Sequence, residues 1–94
     1  MITTTDPLTA ARAAALFLSD VSASADLTTG EVEAAIRQAV RTHGGVRGCA
    51  ADLAACYGDH PELAVPRMRW AREVVANAYR RHQVPVRHEL AQAA

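Results

Sequence analysis

No lysine occurs in this sequence of 94 residues, and it holds only one tryptophan, one phenylalanine, two tyrosines and two cysteines. Each shortage excludes something. Four aromatic side chains leave the core with few of the large rings that dominate burial in most domains. The cysteines, Cys49 and Cys56, lie seven positions apart, a spacing of roughly 10 Å along a helix and too long for a disulfide. Read as small buried thiols, they suit a reducing, cytoplasmic compartment. Joining them to His43 and His60 gives gaps that match no zinc motif, so neither a metal nor a cofactor is expected.

Long apolar runs are also missing. Nothing approaches the ~18–20 residues of a membrane span, so no membrane partner is expected. Arg12, then "AAALFL", then "ASA" at 23–25 imitates a secretory leader, but the run is six residues long and is flanked by Asp6 and Asp20. A helix explains it better. There is no glycine-rich phosphate loop and no H-E-x-x-H. The serines at 19, 22 and 24 have no histidine near them in sequence, and Asp59-His60 is accounted for by helix capping. A non-enzyme is expected.

What the chain does have is alanine. There are 21 alanines against 19 residues of Leu, Ile, Val and Phe together, a proportion near the edge of disorder that the zero net charge argues against. A chain this short makes one domain, 1–94, with 1–5 and 87–94 expected to fray. Alanines let helices approach closely but bury little area each. A second chain is therefore expected to complete the burial, as a homodimer. The charge balance hides a gradient: residues 1–62 carry four Arg against eight acids, and residues 63–94 carry six Arg against two acids. A polyanionic partner would explain the basic third, and so would helix capping. That every basic residue is arginine looks like a coding bias toward G and C.

The elements read as an all-α bundle of four main helices, with no internal repeat. Helix one starts at an Asp6 N-cap with Pro7 first in the helix and runs to about Val21, turning Leu8, Ala11, Ala14 or Ala15, Phe17 or Leu18, and Val21 inward. Helix two has a Thr28–Glu31 capping box and a Leu27–Val32 staple. Val32, Ala35, Ile36, Ala39 and Val40 form its stripe, and "HGG" at 43–45 ends it. Helix three, about 46–57, turns Val46, Cys49, Leu53, Cys56 and Tyr57 inward and stops at Gly58. Helix four opens with an Asp59–Glu62 capping box and reaches about His82, with a kink or break near Val65 because of Pro66. Its stripe is Met68, Ala71, Val75, Ala78 and Tyr79, and "QVPV" at 83–86 ends it in an extended segment. His82 and His88 are expected at the surface.

Around "CYGDH", Leu53, Ala54 and Gly58 fall at the relative spacing of a helix-turn-helix, and this corner between helices three and four resembles one over about twenty residues. The resemblance implies a DNA reader whose second helix enters the major groove. Here that helix begins "DHPELAVP", with Asp59 and Glu62 facing phosphate and few groups for base edges. Its arginines follow later, Arg69, Arg72 and Arg80 to one side of the buried stripe and Arg67 and Arg81 to the other.

Trp70 lies roughly 200° around helix four from Met68, off the main core face and beside Arg67, Val74, Asn77 and Arg81. Helix one or the C-terminal tail covers this edge, or another molecule does, or bases stack on it. The reading that follows is a non-catalytic regulatory or adaptor module, self-associating as a homodimer and binding an unidentified protein partner through helix four at Arg67, Trp70, Val74, Asn77 and Arg81. The alternative is a DNA-binding transcriptional regulator contacting nucleic acid through Arg67, Arg69, Arg72 and Arg80.

Overall fold

The computed structural model describes residues 6–93, with side chains as far as Arg80. Four helices follow in order: α1 (Pro7–Leu18), α2 (Thr29–Thr42), α3 (Gly45–Asp59) and α4 (Pro61–Ala93), and there is no strand among the described residues. This is the all-α, four-helix bundle expected.

The leader-like run is the centre of the fold. Ala13, Ala14, Ala15, Leu16 and Phe17 are all buried, and a helix buried on every side must be packed on every side. Helix α1 touches each of the other three. Where it meets α2 and α3, the contact is made by Ala15, Ala39 and Cys49, small residues that let the three helices approach closely. Along α4 it meets the buried stripe Ala64, Met68, Ala71 and Val75 through Ala13, Leu16 and Phe17. Phe17 stacks on Tyr57 of α3, ring centroids 6.2 Å apart. Burying Leu16 and Phe17 stabilises the fold by roughly 1.5–3 kcal/mol each. Leu8 is exposed instead, because the first turn of α1 precedes the packed stretch.

Local signals set the helix starts. Asp6 accepts the Thr9 amide at 2.8 Å ahead of Pro7, and that bond holds its carboxyl below the usual value. The Thr28 hydroxyl accepts the Glu31 amide at 3.1 Å, while the Glu31 carboxylate accepts the Thr28 amide at 2.9 Å. Both halves of the expected capping box are formed. Gly44, at φ 81°, makes the left-handed turn that ends α2, as "HGG" implied.

The corner between α3 and α4 differs from expectation. Helix α3 runs through Gly58 to Asp59, and His60 alone separates it from α4. Pro61 is the reason: it suits the first position of a helix, and it disfavours helical geometry at the preceding residue. His60 accordingly sits at φ −142°, ψ 67°. Asp59 therefore belongs to α3 and does not cap α4. Val46 is exposed, since the first turn of α3 lies ahead of the crossing at Cys49.

Pro66 does not interrupt α4, whose helix is continuous from Pro61 to Ala93. Losing one hydrogen bond on an exposed side is outweighed by the buried Ala64 and Met68 on either side of it. The expected extended segment at 83–86 is likewise helical. Residues 1–5 and Ala94, parts of the ends expected to fray, lie outside the described residues.

Candidate interaction surface

Arg67 is committed to its own chain. Its Nε donates to the Phe17 carbonyl at 2.7 Å, and its Nη2 donates to the carbonyls of Ser19 at 3.0 Å and Val21 at 2.9 Å. Helix α1 ends at Leu18, and the last carbonyls of a helix have no partner within it. A guanidinium supplies several donors in a fixed plane and meets the negative end of the α1 dipole. Burial lowers the Arg67 pKa. The guanidinium carbon also lies 4.6 Å from the centre of the Trp70 ring and 5.9 Å from that of Phe17.

That arrangement places the edge of α4 singled out in the sequence. Trp70 and Val74 are half-buried and pack against the cluster shared by α1 and α4. Val74 and Asn77 line a hollow of about 160 Å³ whose other wall is Ala25, Asp26, Leu27, Thr29 and Val32. The connection between α1 and α2 and the start of α2 thus lie along this edge, with Asn77 itself exposed. The side chain of Arg81 lies outside the described residues, as do those of His82 and His88. Of the arginines considered for nucleic acid, Arg69, Arg72 and Arg80 are exposed, and Arg67 is held as above. Arg12 lies over the Tyr79 ring, 3.8 Å from its centroid.

A different part of α4 is open. The α3–α4 corner forms a groove of about 430 Å³ lined by Phe17, Leu18, Ala55, Cys56, Asp59, His60, Leu63, Ala64 and Arg67. Leu63, which lines it, is 64% exposed. Asp59 lines the groove, and the exposed Glu62 lies 3.6 Å from Nδ1 of His60, which lines it too. Arg67, the one arginine lining it, turns three of its donors onto the α1 carbonyls. Sequence reasoning passed over Leu63, although an apolar residue two places past Pro61 was the available signal.

It also missed the α2–α3 corner. His43 Nδ1 lies 2.6 Å from Asp52 Oδ2, with the His43 side chain 24% exposed. His43 lines a cavity of about 170 Å³ that includes Ser19, Asp20, Gln38 and Thr42. The Ser19 hydroxyl donates to the Leu16 carbonyl at 2.6 Å, which makes it a cap for α1. Nearby, Gly48 has no room for a side chain: a Cβ there would collide with the His43 carbonyl oxygen. Cys49 is buried and Cys56 half-buried, both as free thiols. Burial pushes the Cys49 pKa up, with Asp52 adding to the effect. Among the described residues no group of three or more His, Cys, Asp or Glu is placed to hold a metal ion, and no helix is long and apolar enough to cross a membrane.

The chain matches no protein-family model, no curated protein and no solved structure.

Proposed function

We propose that this domain is a non-catalytic regulatory or adaptor module that binds another polypeptide at the α3–α4 corner groove. The observation that carries the reading is the open, apolar groove beneath Leu63. Its shape and lining suit the apolar face of a helix laid between two others. This keeps the recognition surface on α4 but moves it from the Trp70 edge, along which the chain's own α1–α2 connection lies, to the helix's first two turns.

A photo-activated cross-linker at Leu63, compared in cells with one at the exposed Ala34 of α2, tests this directly. A discrete protein adduct is expected from position 63 and none from position 34. No adduct at 63, whether to another protein or to a second copy of the chain, would overturn the reading.

The exposed Arg69, Arg72 and Arg80 keep a second reading, DNA binding, in play. The acids Asp59 and Glu62 oppose it at the helix start, and the single-residue connection at His60 leaves out the three- to four-residue turn typical of a helix-turn-helix. Fluorescence anisotropy with duplex DNA at ~50 and ~200 mM salt separates the two, because phosphate contacts weaken steeply as salt rises. Weak binding at both salts is expected. Tight, salt-sensitive binding lost on replacing Arg69 and Arg72 would make the DNA reading the better one.

A further inference from the structure

We propose that the corner groove receives the distal end of α4 from a second copy of this chain, in a reciprocal dimer; the inference rests on the groove being a recognition surface. Helix α4 has 33 residues, whereas α3, the next longest, has 15. At 1.5 Å per residue these are about 50 Å and about 22 Å, and the longest dimension of the molecule is 52 Å. The described buried stripe of α4 ends at Ala78, and the helix continues for 15 residues beyond it.

Charge and spacing select the occupant. Residues 80–93 carry Arg80, Arg81 and Arg87 against Glu89 alone, opposite in sign to Asp59, which lines the groove, and to Glu62 beside His60. The sequence there spaces Val86, Leu90 and Ala93 four and three apart, the interval that puts residues on one side of a helix. A continuous helix cannot fold back on itself, and Leu63 and Leu90 are about 40 Å apart along α4. The segment therefore reaches a groove only on another copy. Each copy offers one segment and one groove, so reciprocal docking closes the assembly on a two-fold axis.

Sedimentation equilibrium on the full chain between ~1 and ~100 μM is expected to show a dimer. Asp59, Glu62, Leu63 and Arg80 are exposed, so variants there are expected to keep the fold, and circular dichroism melts check each protein. Leu63→Glu, or Asp59→Arg with Glu62→Arg, is expected to weaken the dimer tenfold or more, and adding Arg80→Glu and Arg87→Glu to the charge-reversed chain is expected to restore it. A monomer at ~100 μM, or a dimer indifferent to these changes, would overturn the inference. If position 63 still cross-linked to a different protein, the groove would remain a recognition surface and only the choice of a second copy would fall. Loss of both results would remove the two together.

Discussion

Arg67 and Phe17, fifty positions apart in sequence, are joined by a 2.7 Å hydrogen bond from the Arg67 Nε to the Phe17 carbonyl, while the same guanidinium lies over the Phe17 ring. The start of α4 thereby closes the end of α1. Replacing Arg67 by Ala leaves three carbonyls without their donors and is expected to cost about 2–4 kcal/mol, charge-assisted bonds being the stronger ones. Lysine cannot reproduce the planar fork, so Arg67→Lys should recover less than half of the loss. Urea melts of the three proteins decide it. Equal stability of Arg67→Ala and the parent would show that the carbonyls are satisfied by water.

Trp70 is expected to act on folding first. Half-buried against the α1–α4 cluster and under the Arg67 guanidinium, its truncation to Ala should lower stability by roughly 2–4 kcal/mol at every protein concentration. A loss of stability that vanished as concentration rose would instead place Trp70 in an interface between chains. Melting both proteins across a hundredfold concentration range distinguishes the two.

Gly48 and Gly58 should respond oppositely to alanine. At Gly48 the added Cβ meets the His43 backbone, whereas at Gly58, inside α3, it meets nothing within 4 Å. Gly48→Ala is expected to destabilise by more than about 3 kcal/mol, as backbone must move. Gly58→Ala is expected to stabilise by about 0.5–1 kcal/mol, the usual gain from replacing a helical glycine. A destabilised Gly58→Ala chain would argue that Gly58 turns the chain after all. Thermal melts of each give the signs.

Cys49 predicts an alkaline weakness. Burial raises its pKa in the folded protein, so the folded state holds the thiol proton more tightly than the unfolded state. The stabilisation is therefore complete below the unfolded thiol pKa, near 8.5, and is lost as pH climbs from there through the folded value. Cys49→Ala removes the thiol, and its stability should fall less steeply than the parent's between pH 8 and pH 10. Parallel slopes in chemical denaturation across that range would contradict the burial argument.

The elements legible in the sequence were those set by neighbours in the chain. Asp6 with Pro7, the Thr28–Glu31 box and the glycine after His43 each act within four residues, and the same capping geometry arises wherever those residues occur. The stripe from Met68 to Ala78 was equally plain, because helical periodicity is itself local. Competition between neighbouring signals was harder to read. Asp59 and Pro61 both propose a start for α4, and Pro61 prevails because its ring restricts His60 sterically, whereas Asp59 offers only a hydrogen bond.

What only the tertiary structure decided are relations across the chain. That α1 is the central helix depends on three others surrounding it, and nothing in "AAALFL" says how many partners it has. Trp70 could not be assigned to core or interface from its helical angle, since the cluster it packs against takes Ala13, Leu16 and Phe17 from α1, more than fifty positions earlier. Arg67 reads as one more cation in a basic segment until folding brings the end of α1 beside it. The groove under Leu63 is empty space among α1, α3 and α4, and sequence specifies such space only through the packing of all three.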